Sequence, residues 1–439
     1  MADATHKFQS PRGTRDFYPA DMAVRRHIES IWREVSINHG FDEIDGPTFE
    51  HLELYTAKSG PGIVSELFSF QREGGETMYA LRPEFTPTLA RMYAARAGEL
   101  PKPVKWFCIE SNFRAERPQR GRLREFFQWN ADIIGDESPR ADAEMIALTV
   151  GILERFGLTA EQVVVKLNDR HAANAMLDRF GVPAERHEEA FGLIDRRDKI
   201  TAESFTEQAE ALGLSGDALT GFLQFVGVTA SVGAEVKYLR LVESVDKGVH
   251  DRMNELESWI GALQLQDWCR WDPAIVRGLA YYTGTVFEVH EISGKERAIA
   301  GGGRYDKLVE LVGGPPTPAV GIAMGDVVLR LMLEDHGLLK PEEYAPRPDV
   351  FVINVREDDK AMSGLIADLR RRGMHVRHSY RATRNVGKLL GEAGKARARW
   401  AVILGEEFAR GALTLKDLDS GEQREVKLDE LAATLEKGV

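Results

Sequence analysis

An arginine-rich turn that leads directly into an alternating strand constrains this chain more than any other feature. The segment covers residues 113–135 and reads FRAERPQRGRLREFFQWNADIIG, with five arginines between positions 114 and 124. An arginine side chain presents a planar fork of donors that matches phosphate or carboxylate oxygens two at a time. The turn therefore favours a ligand that carries several negative charges.

The strand after the turn alternates between apolar and polar residues from Phe127 to Ile133. A period of two places the apolar side chains on one face, where they line a core, and the polar side chains on the other. The polar face carries Gln128, Asn130 and Asp132. Two interpretations stay open: a row of ligand-binding groups about 13 Å long, or a hairpin with an ordinary solvated outer face.

Composition narrows the class of protein. A length of 439 residues predicts two or three domains. With 43% hydrophobic and 29% charged residues, and no apolar run of signal-peptide or membrane-span length, we expect a soluble protein without membrane contact. Cys108 and Cys269 are the two cysteines, which excludes a disulfide framework and favours a cytoplasmic location. The net charge of −12 argues against indiscriminate nucleic-acid binding but allows local basic surfaces.

One such basic surface is predicted near the C-terminal end. Residues 365–400 contain ten Lys or Arg residues against two acidic ones, Asp368 and Glu392. The periodicity predicts a strand at 350–355, a helix at 359–371, a strand at 376–379, a helix at 386–396 and a strand at 400–404. We expect a basic α/β module here, reached through a proline-marked linker at 344–348. The alternative is a solvated domain whose basicity has no function.

Two N-terminal segments carry local signals. Residues 21–39 place apolar side chains on one helical face, with Asp21 expected to cap the start and Gly40 to end the helix. The following GFDEIDGPTFEHLELY, residues 40–55, is typical of a strand broken at the Gly-Pro pair. In LRPEFTP, residues 81–87, Thr86 before proline is expected to cap a helix. Glu84, just ahead of that helix, could bind an ammonium group.

Three further motifs lie in the second half of the chain. RGLAYYTGTVFE, residues 277–288, places an arginine ahead of paired tyrosines, and either core packing or ligand contact explains it. In AGGGRYD, residues 300–306, glycines let the backbone approach a small ligand, but no G-K-[ST] follows, so this is not a Walker phosphate loop. AVGIAMGDVVLRLML, residues 319–333, predicts a strand and then a helix that Asp326 caps.

Together these motifs resemble those of class II aminoacyl-tRNA synthetases, and specifically the histidyl-tRNA synthetase family. The F-R-x-E-R-P-Q-x-G-R-x-R-x-F-x-Q form of residues 113–128 is similar to motif 2, residues 41–55 to motif 1, and residues 319–333 to motif 3. RGLAYYTGTVFE is similar to the histidine-specific motif. The resemblance implies an α+β fold: an antiparallel-sheet catalytic domain with a helical insertion, plus a C-terminal α/β anticodon-binding domain.

The implied domain organisation follows the motifs. The catalytic domain is expected over residues 1–168 and 264–335, the helical insertion over 169–263 and the anticodon-binding domain over 345–439. The insertion is rich in helix signals and punctuated by glycines, and its residues carry no chemical motif of their own. Motif 1 implies a homodimer in this family.

The resemblance implies ATP-dependent activation of L-histidine, followed by transfer of the histidyl group to tRNA(His). Arg114 and Arg277 are expected to be the catalytic cations at the α-phosphate. The residues expected to bind histidine are Glu84, Phe85, Thr86, Arg114, Gln128, Asp132, Arg277, Tyr281 and Tyr282. The residues expected to bind ATP are Arg114, Glu116, Arg122, Phe126 and Arg277. ATP is expected to enter as its Mg²⁺ complex, with no metal bound tightly by the protein alone.

The sequence departs from the family pattern at several of these motifs. The replaced residues are Phe85 for a frequent glycine, Asp132 for glutamate, Ala280 for aspartate and Val328 for the motif 3 arginine that contacts ATP. Arg330 lies two positions further on, about 200° round a helix, so it cannot simply substitute for that arginine. Either other arginines hold the terminal phosphate, with Arg122 of motif 2 a candidate, or adenylation is impaired.

Two other classes of protein compete with a synthetase. The histidyl-synthetase fold also occurs in a non-catalytic regulatory subunit of histidine biosynthesis, and the altered motif 3 and Ala280 favour that interpretation. Arg114, Gln128, Arg277 and the basic C-terminal module favour the enzyme. A tRNA-binding protein without catalysis is the third possibility.

Overall fold

The computed structural model describes residues 8–59, 61–227, 229–232, 242–244, 246–276 and 282–436. The chain forms two compact units, Met1–Pro341 and Glu342–Val439. The first unit contains both expected catalytic segments together with the expected insertion, so a separate insertion domain stays a prediction. Among the described residues, no helix combines the length and the apolar character that a membrane span requires.

The strands are numbered in chain order. They are β1 (Asp42–Glu43), β2 (Phe49–His51), β3 (Ser69–Gln71), β4 (Met78–Leu81), β5 (Val104–Phe113), β6 (Glu125–Ile134), β7 (Val163–Asp169), β8 (Ala230–Ser231), β9 (Cys269–Trp271), β10 (Thr285–Glu291), β11 (Ala300–Arg304), β12 (Ala319–Gly325), β13 (Val350–Asn354), β14 (Val376–His378), β15 (Trp400–Leu404), β16 (Ala412–Asp417) and β17 (Gln423–Lys427).

The helices include several single turns of 3₁₀ type. The α-helices are Pro19–Asn38, Leu52–Ser59, Thr86–Arg96, Pro139–Arg155, Arg170–Arg179, His187–Asp195, Ala202–Ala211, Gly216–Val226, Lys247–Ala262, Leu308–Leu311, Asp326–Asp335, Pro341–Tyr344, Asp359–Arg371, Val386–Lys395 and Leu431–Glu436. The 3₁₀ segments are Pro61–Glu66, Ala184–Arg186, Arg197–Lys199 and Glu406–Arg410.

A nine-stranded sheet forms the centre of the first unit, with the order β1-β5-β6-β12-β11-β10-β7-β9-β8. The pairs β1–β5 and β7–β9 are parallel, and the other neighbouring strands are antiparallel. Strands that are distant in sequence therefore meet in the middle of the sheet. The resemblance implied an antiparallel sheet, and the observed sheet is mainly antiparallel with two parallel pairs.

The predicted hairpin is formed by β5 and β6, which pair in register from Val104–Ile134 to Phe113–Glu125. The apolar face of β6 is buried as expected, with Trp129 and Ala131 fully inaccessible. The polar face is covered as well, since Asn130 and Asp132 are 3% and 4% exposed. The alternative of a solvated outer face is therefore wrong, and the polar row faces the interior.

Helix Pro19–Asn38 packs on this sheet. Its first turn begins with a proline, which suits the first helical position, and Tyr18 is the N-cap. Asp21 lies inside the first turn, so the prediction that it caps the helix is wrong. Trp32 is fully buried, and the Trp129 indole donates a 2.9 Å hydrogen bond to Ser36. These contacts tie the helix to the strand that carries the polar row.

A small antiparallel sheet in the first unit has the order β2-β4-β3. The expected strand of the motif 1 segment is realised as two short strands, β1 and β2, on either side of the Gly46-Pro47 break. The segment then turns into helix Leu52–Ser59 instead of staying extended to Tyr55.

The second unit is a five-stranded sheet of order β14-β13-β15-β16-β17. Strands β14, β13 and β15 are parallel to one another, whereas β16 is antiparallel to both of its neighbours, β15 and β17. Helix Asp359–Arg371 packs with Val350 and Val352 of β13, whereas helix Val386–Lys395 packs with Phe351 and Ile353. Alternate residues of one strand face opposite sides of a sheet, so the helices cover both faces. The predicted α/β module is confirmed.

Candidate active site

Two adjoining cavities lie over the middle of the nine-stranded sheet. The larger has a volume of about 670 Å³ and the smaller about 70 Å³. Both are lined by Arg114, Gln128, Tyr282, Gly301 and Ala323. The site is therefore elongated, with a wide chamber at one end, a narrow chamber at the other, and a cation at the junction.

The narrow chamber is lined by polar side chains from β6, from the residues that directly follow β5 and β11, and from the start of helix Thr86–Arg96. Asp132 of β6 is 4% exposed, and its Oδ1 accepts a 2.5 Å hydrogen bond from the Tyr305 hydroxyl. Burial and the neighbouring Asp132 carboxylate raise the pKa of Tyr305 well above its usual value, so the phenol stays protonated and donates. The chamber has the size and polarity for a small polar group.

The rest of the polar row is held by cross-strand hydrogen bonds. The Asn130 amide donates a 3.0 Å bond to Oε1 of Glu110, and the Asn112 amide donates a 3.2 Å bond to Oε1 of Gln128. Both pairs join β5 to β6 at diagonal positions, since the register places Glu110 opposite Gln128. Each bond restrains the orientation of the two side chains that it joins.

The loop before helix Thr86–Arg96 closes the narrow chamber. Glu84 and Thr86 line it, as the resemblance implied. Phe85 is the N-cap, its side chain is fully buried in a core cluster, and it is absent from the described linings of both chambers. The expectation that Thr86 caps the helix is wrong, because Thr86 is its first residue and no side-chain cap bond forms there.

Arg114 occupies the junction of the two chambers. Its Nε donates a 3.2 Å hydrogen bond to the carbonyl of Pro83, and its guanidinium lies 4.9 Å from the ring centroid of Phe126. Burial lowers the pKa of Arg114, and the carboxylates of Glu84 and Glu66 act against that shift. An arginine remains protonated near neutral pH even so. The junction thus holds a positive charge close to an aromatic face.

The wide chamber has a mixed lining. Phe126, Val286 and Phe287 supply apolar walls, and Arg122 and Arg297 supply cations. Arg122 forms an ion pair with Glu116, the other predicted ATP-binding residue of the motif 2 turn. Glu116 is absent from the described lining of either chamber and reaches the site through this pair.

Glycines of β11 and β12 leave no space for a side chain where these neighbouring strands pack at the site. A Cβ atom on Gly302 would collide with the carbonyl oxygen of Gly321 and lie 2.8 Å from the Cα of Ile322. A Cβ atom on Gly321 would collide with Oδ1 of Asp132. Gly302 of the glycine-rich segment therefore serves close backbone packing, and Gly321 of β12 makes room for the Asp132 carboxylate.

The structure brings most of the predicted site residues together. Those lining the chambers are Glu84, Thr86, Arg114, Arg122, Phe126, Gln128, Asp132 and Tyr282. Arg277, Ala280 and Tyr281 lie outside the described residues. Their roles stay predictions from the sequence.

Sequence reasoning missed several residues of the site, chiefly Tyr305, Glu66 and Arg297. Tyr305 belongs to the AGGGRYD motif, in which the glycines are the more prominent signal. Sequence reasoning also missed a buried ion pair. Nη2 of Arg304 lies 2.9 Å from Oδ1 of Asp142, and the two side chains are 1% and 0% exposed. Burial raises the pKa of Asp142 to about 6 although Arg304 opposes the shift. Hydrogen bonds from Arg304 to the carbonyls of Asp136 and Ser138 complete this support beneath the site.

The described residues contain no group of three or more His, Cys, Asp or Glu side chains placed to hold a metal ion.

Comparison with known proteins identifies the family. A family model described as "Histidyl-tRNA synthetase" matches residues 13–326, and one described as "Anticodon binding domain" matches residues 349–438. The chain belongs to the histidyl-tRNA synthetase family. The first match covers the motif-bearing part of the chain and both chambers, and the second covers the basic α/β module.

Individual relatives extend over nearly the full length. The chain is 38% identical over 430 residues to a histidine–tRNA ligase of Opitutus terrae, covering 97% of each chain. It is 38% identical over 417 residues to a histidine–tRNA ligase of Halobacterium salinarum, covering 94% of each. The crystal structure of a histidyl-tRNA synthetase from Nostoc sp. superposes with a TM-score of 0.82 at 26% identity, covering 99% of this chain and 100% of that one.

Proposed function

We propose that this protein is a histidine–tRNA ligase, which converts L-histidine and ATP to histidyl-adenylate and pyrophosphate and then transfers the histidyl group to tRNA(His) with release of AMP. The observation that carries the proposal is Arg114 at the junction of a narrow polar chamber and a wide chamber. An amino acid in the first and a nucleotide in the second would bring carboxylate and α-phosphate together at this cation. Relatives named as ligases over nearly the whole chain support the same activity.

The narrow chamber is assigned to histidine. Asp132 and Tyr282 would pair with the two ring nitrogens, and Tyr305 would orient the Asp132 carboxylate. Gln128 and the loop residue Glu84, with Thr86 beside it, would hold the α-amino end, whereas the buried Phe85 would support the loop from the core. A polar site of this kind discriminates strongly, because a ligand without matching groups leaves buried donors and acceptors unpaired.

The wide chamber is assigned to ATP, which enters as its Mg²⁺ complex. Phe126 would stack on adenine, and Arg122, held by Glu116, would contribute positive charge. In the reaction an oxygen of the histidine carboxylate attacks the α-phosphorus, and pyrophosphate leaves with its magnesium. Negative charge grows on the α-phosphate oxygens, and Arg114 together with Arg277 would stabilise it. Tyr281 is assigned to the histidine side of the site.

The remaining partners follow from the two units. The basic module of residues 345–439 would bind the anticodon region of tRNA(His) through phosphate contacts. The protein would work as a cytoplasmic homodimer formed through the motif 1 region. The exposed side chains of Phe49 and Phe70, 47% and 41% accessible, support this: they lie 5.6 Å apart on the small sheet and offer an apolar face to a second copy.

The non-catalytic regulatory alternative has weaker support. The family match of residues 349–438 to an anticodon-binding domain gives the chain a module that such regulators lack.

The test is histidine-dependent exchange of pyrophosphate with Mg-ATP by the purified full-length protein. We expect exchange with L-histidine and none when glutamine replaces it. Absence of exchange with histidine would reject the enzyme, and binding of tRNA(His) without exchange would favour a tRNA-binding protein.

A further inference from the structure

The wide chamber lacks the arginine that motif 3 ordinarily provides. Val328 takes that position, lies in helix Asp326–Asp335 and lines the chamber with its apolar side chain. Arg330 is turned away, since its guanidinium pairs with Asp21 at 3.2 Å and with Glu334 at 2.8 Å. Arg122 is already paired with Glu116. If ATP binds here, a further cation beside Arg122 would supply the contact with the outer phosphates that Val328 lacks.

Arg297 lies at the required place. It belongs to the connection between β10 and β11, residues 292–299, and lines the wide chamber. A Cβ atom built on Gly121 would lie 3.8 Å from Cδ of Arg297 and 3.4 Å from Cγ2 of Val328. The arginine stem and the valine side chain therefore approach the same point of the motif 2 turn. Arg297 therefore lies in the same part of the chamber wall as Val328, the position of the missing arginine.

The connection that carries Arg297 is anchored on both sides. Nη2 and Nε of Arg120 in the motif 2 turn lie 2.5 Å and 2.9 Å from Oε1 of Glu296, whose side chain is 3% exposed. Nζ of Lys295 lies 2.5 Å from Oδ2 of Asp335, at the end of the motif 3 helix. These two pairs hold the segment between the motif 2 turn and the motif 3 helix.

Arg297 itself is uncommitted. In the described part of the chain its side chain is exposed and makes no hydrogen bond and no ion pair. Its neighbours Lys295 and Glu296 are both engaged in ion pairs, so the segment is fixed while this guanidinium remains available. A fixed backbone reduces the ordering entropy that a phosphate contact costs.

We propose that Arg297 binds the β- and γ-phosphates of ATP and replaces, from a different element of the fold, the motif 3 arginine that Val328 lacks. The inference rests on the proposed function for the identity of the nucleotide. A guanidinium can engage two phosphate oxygens at once, and the contact would be made with ATP and with the leaving pyrophosphate alike.

The first test is calorimetric binding of Mg-ATP to the full-length protein. Arg297→Ala should weaken binding by about tenfold, whereas Arg297→Lys, which keeps the charge without the fork, should weaken it less. The matched control is Arg96→Ala, since Arg96 is exposed, pairs with the exposed Glu99 and lies off the site. Arg297→Ala and Arg96→Ala binding Mg-ATP equally well would overturn the proposal.

Pyrophosphate exchange separates this role from a general loss of structure. Arg297→Ala should raise the KM for ATP while leaving the KM for histidine unchanged; a parallel rise of both would overturn the assignment. The double variant Arg297→Ala with Val328→Arg should recover ATP affinity, because it returns a guanidinium to the same part of the wide chamber. Failure to recover would contradict the inference that positions 297 and 328 can serve the same phosphates. Wild-type protein that binds Mg-ATP through Arg297 without exchange would reject the proposed function alone.

Discussion

The hydroxyl of Tyr305 donates a 2.5 Å hydrogen bond to Oδ1 of Asp132 in the narrow chamber. Both residues are almost completely buried, at 2% and 4% exposure. Tyr305 follows β11, whereas Asp132 lies in β6, and β12 separates these strands in the sheet. The bond therefore spans a strand and fixes the orientation of the carboxylate that we assign to the imidazole of histidine.

Replacement of Tyr305 by phenylalanine should weaken histidine binding selectively. The substitution keeps the ring and removes the donor, so the buried Asp132 carboxylate loses a charge-assisted hydrogen bond. We expect the KM for histidine in pyrophosphate exchange to rise by roughly tenfold or more, with little change in the KM for ATP.

The matched control for this change is Tyr93→Phe. Tyr93 is also fully buried, and within the described part of the chain its hydroxyl has no hydrogen-bond partner. This variant should retain wild-type kinetics. Equal effects of Tyr305→Phe and Tyr93→Phe on the KM for histidine would show that the Asp132 contact has no specific role.

A second prediction concerns Gly321, which faces Asp132 across the β6–β12 pair. An added Cβ atom would collide with Oδ1 of Asp132, so the carboxylate would have to move. Gly321→Ala should therefore impair histidine activation by about a hundredfold, measured as pyrophosphate exchange at saturating ATP.

Gly261→Ala is the control, because Gly261 lies in helix Lys247–Ala262, belongs to the described lining of neither chamber, and a Cβ there meets no atom within 4 Å. It should retain near-normal exchange. Wild-type exchange by Gly321→Ala would mean that the Asp132 position does not matter for histidine binding.

The parts of the fold that local pattern determines could be predicted from the sequence. The strict alternation in β6 correctly placed Trp129 and Ala131 in the core, although the polar face is covered as well, and helix Asp359–Arg371 and strand β15 have the predicted bounds. These elements satisfy their own periodicity, so tertiary contacts had little to change.

Capping and charge pairing were less predictable. Asp326 was expected to cap its helix, but Gly325 is the N-cap, and the Asp326 carboxylate instead accepts bonds from the Phe127 backbone amide and from Arg15. Arg15 lies 311 positions away in sequence, which no local pattern reveals. The same reason applies to Arg297, since its proximity to Val328 arises from packing between separate elements.

A third prediction concerns the pH dependence of stability through Glu110. Burial raises the pKa of Glu110 to about 7 from an ordinary value of 4.5. The folded state therefore holds a proton that the unfolded chain releases near pH 4.5. The contribution to stability is greatest below that pH and falls as the pH rises to about 7, where the folded state also ionises.

Glu110→Gln removes this ionisation and retains an acceptor for the Asn130 amide. The variant should be more stable than wild type by about 3 kcal/mol at pH 8 and by only about 1 kcal/mol at pH 5.5, from urea unfolding. Glu99→Gln, at an exposed position, should show no such dependence. A stability difference for Glu110→Gln that does not change between these pH values would contradict the shift.

A fourth prediction concerns Arg277, which lies outside the described residues and is assigned from the sequence motif. Arg277→Ala should lower the rate of histidyl-adenylate formation by about a thousandfold, because a cation at the α-phosphate acts mainly in the transition state. Single-turnover formation of the adenylate measures this step, and sedimentation should show an intact dimer. A loss of less than tenfold would exclude a catalytic role for Arg277.

The last prediction separates the activities of the two units. The second unit has its own five-stranded sheet, with a helix and a hydrophobic core on each face, so residues 345–439 can be removed without opening the core of the first. Both chambers are lined by residues of the first unit alone. The truncated protein should therefore retain histidine-dependent exchange, whereas its kcat/KM for charging tRNA(His) should fall by about a hundredfold, as lost phosphate and base contacts would predict. Undiminished charging would mean that the basic module does not bind tRNA, and loss of exchange with a folded truncated protein would mean that the first unit is not sufficient for adenylation.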